Sequence, residues 1–256
     1  MSMPTILAIS GLDPCAGAGL LADARVAAEL GVRLVGVVTA TTVQDTTGVR
    51  AVRAALAKIV REQLRALLAD VEVDVVKIGM LGDERVGVAV ARILLDARAP
   101  IVWDPVLAPT RGGVPLFNGD PARVARDLLP QARIVTPNLA EASVLAGLPV
   151  GTIADMRRAA KTLREAGARA VLVKGGHLPG PRALDLLSDG DAVTVLEGER
   201  IDAGPVHGTG CVLSTALACG LATGLSLPEA CARAKDFVTA RLANALRVGR
   251  GARCLV

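Results

Sequence analysis

Aromatic side chains are nearly missing from this 256-residue chain, which has no tyrosine, two phenylalanines and one tryptophan. Stacking platforms for the bases of single-stranded nucleic acid are thereby excluded. A basic block is missing too. Lys and Arg total 29 against 25 Asp and Glu, for a net charge of +4. The arginines are scattered, which describes a solvated surface that attracts anionic ligands modestly and is not a nucleic-acid partner. The five cysteines, Cys15, Cys211, Cys219, Cys231 and Cys254, are odd in number and include no C-x-x-C. A disulfide framework or zinc site is disfavoured, and a reducing, cytoplasmic setting is expected. Met1-Ser2-Met3-Pro4 lacks the basic and apolar regions of a signal peptide. The stretch from Ala203 to Pro228 carries no formal charge and has the length of a membrane span. Its glycines, with Ser214, Thr215, Thr223 and Ser226, make it a buried helix after a loop instead. No G-x-x-x-x-G-K-[ST] occurs, so the chain is not a P-loop kinase.

What is present is apolar. Hydrophobic residues make up 52% and charged residues 21% of the chain, enough for a substantial core and against disorder. Short apolar runs alternate with helical stretches. Strands are expected at Thr5 to Ser10, Leu34 to Thr41, Val73 to Ile78, Pro100 to Trp103, Arg133 to Thr136 and Ala170 to Val173. Helices are expected from about Leu20 to Leu30 and Arg53 to Leu68, after Asp83, after Asp120-Pro121, after Asn138, and from Thr152 to about Ala166. Thr152 with Asp155, and Ser226 with Glu229, have capping-box spacing. Runs from Arg182 to Leu187 and Ala192 to Glu197 flank an Asp-Gly turn, a hairpin signal. The expected fold is one α/β domain over residues 1–256, with a mostly parallel sheet and a late hairpin.

The chain is organised around Val206-His207-Gly208-Thr209-Gly210-Cys211-Val212, a glycine turn that opens an apolar helix. Unpaired N–H groups and the helix dipole make such a turn an anion site. Cys211 falls in the first helical turn, where a lowered thiol pKa is expected. The other distinctive polar residues follow strand ends: Gln44, Met80, Asp104, Asn138 with Glu141, and Lys174 with His177. Ligands of such sheets bind beyond the carboxyl ends of the strands. Two carboxylates, a lysine and an anion turn suit a magnesium nucleotide and phosphoryl transfer. Bland alternatives stand beside these readings. Asp104-Pro105 can serve as a plain turn, Asn138 as a cap, Glu141 as a solvated helix residue, Lys174 as a surface lysine, His177 as a loop residue and Cys211 as a small hydrophobe. Gly17-Ala18-Gly19-Leu20-Leu21-Ala22 matches G-x-G-x-x-A, but lies well past Ser10, and the expected strand two ends in threonines where a dinucleotide site requires an acidic residue about 20 residues on.

Taken together, these pieces resemble the hydroxymethylpyrimidine/phosphomethylpyrimidine kinases, members of the ribokinase-like superfamily. The resemblance runs from Ile6 to about Ala240. It is carried in order by Gly11-x-Asp13-Pro14-x-x-Gly17-Ala18-Gly19-x-x-Ala22-Asp23, Thr39-Ala40 to Gln44, Lys77-Ile78-Gly79-Met80-Leu81 and Asp104-Pro105-Val106. Thr136-Pro137-Asn138-x-x-Glu141, Val173-Lys174-Gly175-Gly176-His177 and His207-Gly208-Thr209-Gly210-Cys211 complete the series. It implies a three-layer α/β/α sandwich and ATP- and Mg2+-dependent phosphorylation of 4-amino-5-hydroxymethyl-2-methylpyrimidine and then of its monophosphate, by a homodimer. By position it implies pyrimidine contacts from Asp23 and Gln44, with Gly11, Met80 and Val106 as pocket walls. Asp104 and Glu141 would hold magnesium; Asn138, Lys174, His177 and Thr209 would meet the nucleotide. Gly208, Thr209, Gly210 and Cys211 would form the catalytic anion hole, with Cys211 taking or relaying the hydroxyl proton. The chain departs from the family pattern at Leu12, Cys15, Ala16, Leu21 and Val206, and in its C-terminal ending. Pyridoxal kinases share the superfamily and, in part, the Gly-Thr-Gly-Cys turn; a non-catalytic pyrimidine binder would not need the magnesium and phosphate set.

Overall fold

Strand β1 (Thr5–Leu12) runs through the middle of the computed structural model, which describes residues 3–109 and 113–256. Met1 and Ser2, on which the reading of the N-terminus partly rests, lie outside the described residues. Seven of the eight β1 residues are buried, as a strand covered on both faces requires. Helix α1 (Gly19–Glu29) returns the chain to β2 (Arg33–Asp45), parallel to β1. β2 outlasts its expected end at Thr41 and turns through Thr46-Thr47 into β3 (Gly48–Ala54), an antiparallel partner. This early hairpin was not expected. The helix expected from about Arg53 begins only at α2 (Ala57–Asp70), because Arg53 and Ala54 belong to β3.

The chain then crosses to the other side of β1. Strands β4 (Val75–Ile78), β5 (Ile101–Trp103), β6 (Ala132–Val135) and β7 (Ala170–Gly175) add in parallel. Their connections carry α3 (Glu84–Leu94), α4 (Pro121–Leu128), α5 (Leu139–Ala146) and α6 (Ile153–Glu165). The expected caps are present: Asp83 and Asp120 each accept from a backbone N–H in the first turn, and capping boxes join Asn138 to Glu141 and Thr152 to Asp155. The hairpin of β8 (Arg182–Asp189) and β9 (Ala192–Glu199) completes a nine-stranded sheet ordered β3-β2-β1-β4-β5-β6-β7-β8-β9. Helices α7 (Thr209–Ala222) and α8 (Leu227–Ala243) follow, the second opened by the Ser226–Glu229 capping box.

Two cores flank the sheet. Leu7 and Ile9 of β1 face one, with α2, α3, α4 and α6; Ile6 faces the other, with α1, α7 and α8. β7 alternates likewise, Val171 and Val173 to the first core and Ala170 and Leu172 to the second. The result is the expected three-layer α/β/α sandwich. From Val212 to Cys219 every residue of α7 is buried, which explains its uncharged sequence. Among the described residues no helix is long and apolar enough to cross a membrane. The C-terminal segment is tied down. β11 (Arg253–Cys254) pairs in parallel with β10 (Val206–His207), and Cys254 is buried.

Candidate active site

β1 is flanked by β2, reached first, and β4, reached after the chain reverses direction across the sheet. Such a reversal opens a crevice at the carboxyl ends of the strands. Into this crevice α7 brings its N-terminus. Gly208 caps it with φ 87°, in the left-handed region, and no side chain caps the first turn. A Cβ on Gly208 would stand 1.8 Å from the Gly17 carbonyl oxygen, so only glycine lets the turn meet the first loop. The N-terminus of α1, at Gly19, opens beside it; the Gly19 N–H approaches the Cys211 sulfur.

Opposite the turn lies a charged group. Asp104 follows β5 and is 1% exposed. Its Oδ1 accepts from Lys174 Nζ at 2.6 Å and Thr136 Oγ1 at 3.2 Å, and its Oδ2 from Ser214 Oγ at 3.1 Å. A Cβ on Gly210 would stand 3.0 Å from Lys174 Nζ, so nothing separates the ammonium from the turn. Burial works against the Lys174 charge, but Asp104 and Glu141 outweigh it and raise the pKa. Glu141 shares the capping box: its Oε2 accepts from Asn138 N at 2.8 Å, and Asn138 Oδ1 accepts from Glu141 N at 2.9 Å. Burial pushes the Glu141 carboxyl up to about 7; Lys174 opposes the rise and Asp104 adds to it. Asn138 thus caps its helix and also borders Lys174, to which it is bridged across the strand ends.

The first loop is held by Asp13. Its carboxylate accepts from the backbone N–H groups of Cys15, Gly17 and Ala18 and lies 2.9 Å from His207 Nε2. Burial raises the Asp13 pKa, but the His207 bond and the N–H donors overcome it and hold the carboxyl below its ordinary value. Gln44 Nε2 lies 2.8 Å from the same imidazole nitrogen. Gln44 sits within β2, not after it. Gly11 and Met80 pack together, a Cβ on Gly11 falling 2.9 Å from the Met80 sulfur. Met80 joins a small third apolar cluster with Ala40, Val49 and Leu116, against which Val106 packs.

Two expectations are corrected. Cys211 does not carry a lowered thiol pKa: burial pushes it up to about 11 against the pull of Lys77, with Asp104 and Asp23 adding to the rise. Asp23 does not present an edge to a ligand. It has no exposed surface; its oxygens accept from Lys77 Nζ at 2.9 and 2.8 Å and from Thr215 Oγ1 at 2.7 Å. His177 is exposed in the turn after β7, outside the group formed by Asp104, Lys174 and Glu141. Lys77 was missed as a site-bordering residue, although a charge inside the apolar run Val75–Ile78 signals a buried partner. Ser214 and Thr215, two hydroxyls in the uncharged helix, carried no such signal.

The sequence profile of the phosphomethylpyrimidine kinase family matches residues 13–255. The hydroxymethylpyrimidine/phosphomethylpyrimidine kinase of Rhizobium meliloti is 43% identical over 248 residues, covering 96% of this chain and 93% of that protein. Among solved structures, the pyridoxal kinase of Staphylococcus aureus in complex with AMP-PCP and pyridoxal superposes with a TM-score of 0.91 at 30% identity, covering 99% of this chain and 93% of that one. The phosphomethylpyrimidine kinase of Clostridium difficile superposes with a TM-score of 0.80 at 31% identity, covering 93% and 99%.

Proposed function

The chain belongs to the phosphomethylpyrimidine kinase family, and from that footing we propose that it transfers the γ-phosphoryl group of ATP to 4-amino-5-hydroxymethyl-2-methylpyrimidine and then to the resulting monophosphate. The observation that carries this reading is the meeting of Lys174 and Asp104 with the uncapped Gly208–Cys211 turn at one end of the sheet. Phosphoryl transfer asks for positioning and charge neutralisation more than for covalent chemistry. The N–H groups of Thr209, Gly210 and Cys211 and the α7 dipole face the charge that develops on the transferred group. Lys174 meets the phosphates from the other side, with Asn138 beside it. Gln44, Gly11, Met80 and Val106 form the pyrimidine pocket, the Gln44 amide reading a ring nitrogen and the amino group.

The hydroxymethyl oxygen attacks phosphorus, the bond to the β-phosphate oxygen breaks, and the hydroxyl proton leaves late in a loose transition state. A thiol with a pKa of about 11 does not take that proton in advance; as the bond forms, the Cys211 sulfur accepts it and passes its own thiol proton to an oxygen of the transferred phosphoryl group. Asp104 and Glu141 suit Mg2+. Burial pushes Glu141 up to about 7 against the pull of Lys174, with Asp104 adding to the rise, so a divalent cation would favour both carboxylates as anions. Among the described residues no three His, Cys, Asp or Glu side chains cluster as a metal cage. Mg2+ does not require one, because it keeps waters and phosphate oxygens as ligands. Bound there, it would neutralise phosphate charge.

A second reading, pyridoxal kinase, is favoured by the high TM-score to that enzyme from S. aureus. The 43% identity to a pyrimidine kinase supports the first. Incubating the protein with Mg-ATP and either substrate, and following products by mass spectrometry, decides between them. Pyrimidine diphosphate accumulating through the monophosphate is the expected result; pyridoxal phosphate alone would transfer the assignment. Five free cysteines support a cytoplasmic setting. Exposed Val43, Leu56 and Ile59 around the β2–β3 hairpin and the start of α2 support a homodimer, to be checked by light scattering.

A further inference from the structure

Lys77 is the largest fully buried side chain, at 0% exposure, and the mechanism above leaves it without a task. It is paired to an equally buried Asp23. Hiding both charges costs several kcal/mol per ion, and well-packed apolar residues would stabilise the spot as well or better. The pair therefore calls for a reason other than stability. Its surroundings supply one. Asp23 lies in the second turn of α1, whose first residue, Gly19, offers its N–H to the Cys211 sulfur. Thr215, which donates to Asp23, stands one helical turn after Cys211 on the same face of α7. The ammonium reaches past the end of β4. A Cβ on Gly79 would fall 2.9 Å from Lys77 Nζ and 2.7 Å from Ser10 Oγ, a fully buried hydroxyl with no partner among the described residues. The lysine thus joins α1, β4 and α7 directly beneath the glycine turn.

We propose that Lys77, held by Asp23, is a positioning residue for phosphoryl transfer, locking the N-terminal turns of α1 and α7 in register and supplying fixed positive charge under the Cys211 end of the anion turn. The inference rests on the kinase reading. Charge around the thiol comes from every neighbouring element: Lys77 on β4, Asp23 and the Gly19 N–H on α1, Asp104 after β5 and Lys174 on β7. Lys77 pulls the thiol toward ionisation, whereas Asp23 opposes it. Removing either partner of a merely structural pair would disturb Cys211 in the same way; removing them from a charge device acts with opposite signs.

The test uses Lys77→Met, Asp23→Asn and the double variant Lys77→Met/Asp23→Leu in the full chain. It reads the pH profile of Cys211 alkylation by iodoacetamide, mapped by peptide mass, alongside kcat and KM for the pyrimidine. The alkylation midpoint is expected to rise in Lys77→Met and fall in Asp23→Asn. The double variant, without an unpaired charge, is expected to fold and to lose about a hundredfold in kcat with KM nearly unchanged. Midpoints that move together, or a double variant within about threefold of the parent kcat, would overturn the proposal. Should Lys77→Met not fold, Asp23→Asn and the double variant carry the decision. A parent protein that phosphorylates neither substrate would refute the kinase reading instead, and the alkylation profiles would still decide whether the pair sets the charge at Cys211.

Discussion

Burial decides what the Cys211 thiol can do. A sulfur in the first turn of a helix gains from the dipole, but here it also shares a pocket with Asp104 and Asp23, and burial pushes it up to about 11. Alkylation of Cys211 should therefore rise about tenfold per pH unit from neutrality with no plateau before that value. Cys211→Ala should fold normally and lose on the order of a hundredfold in kcat as the relay is removed; a variant near full turnover would end that role. Asp13 behaves in the opposite sense. Its folded pKa lies below the ordinary value, so its contribution to stability is complete above about pH 4 and is lost as pH falls through the folded pKa. Asp13→Asn should cost about 1–3 kcal/mol at pH 7 in a denaturant melt, and the gap to the parent should close below pH 4. The polar types of the site, Asp104, Glu141, Lys174 and Gln44, were legible from their places after or near strand ends. Their partners were not, because pairing depends on which strands become neighbours. Asp23 illustrates this: its position in a familiar motif suggested a ligand contact, whereas its burial against Lys77 is a property of the packed sheet.

At the scale of elements, α7 is the part on which most depends. Its sequence from Val212 to Cys219 has no polar face, so it cannot form the usual amphipathic surface helix and must lie between sheet and helices. Its start is fixed by Gly208. Gly208→Ala adds a Cβ in a left-handed conformation and 1.8 Å from a carbonyl oxygen. A loss of at least about 2 kcal/mol in thermal stability is expected, with turnover falling further as the turn shifts. Helix starts were the most readable feature, since Asp83, Asp120, Asn138, Thr152 and Ser226 act through residues close by in sequence. The β2–β3 hairpin was the least readable. Its Thr46-Thr47 turn carries no Asn-Gly or Asp-Gly signal, and its strand Gly48–Ala54 alternates in a way that a helix start also tolerates.

For the whole molecule, the sheet divides the apolar interior into two cores that share strands but not side chains. Leu64 is buried on one side and Leu217 on the other. Each change to alanine should cost about 3 kcal/mol, and the double variant should lose the sum within about 0.5 kcal/mol, because neither cavity can relax into the other. The α/β/α layering was legible from continuous apolar runs alternating with helices. The strand order was not, because nothing local encodes the reversal that sets β2 and β4 on either side of β1. Nor was the return of the C-terminus, whose short run Arg253–Cys254 has no strand signature of its own. That return has a mechanical side. β11 grips Val206–His207, the two residues immediately ahead of the glycine turn. Tension applied through the C-terminus would load this two-residue ladder, with the Cys254–Leu246 bridge and the Arg25 bond to the Val256 carbonyl, and drag on the anion turn while the sheet stayed whole. The same tension through the N-terminus would load β1, bonded on both flanks by β2 and β4. An affinity tag, a surface tether or a fused domain is therefore safest before β1, where a pull meets the strongest part of the molecule rather than its chemistry.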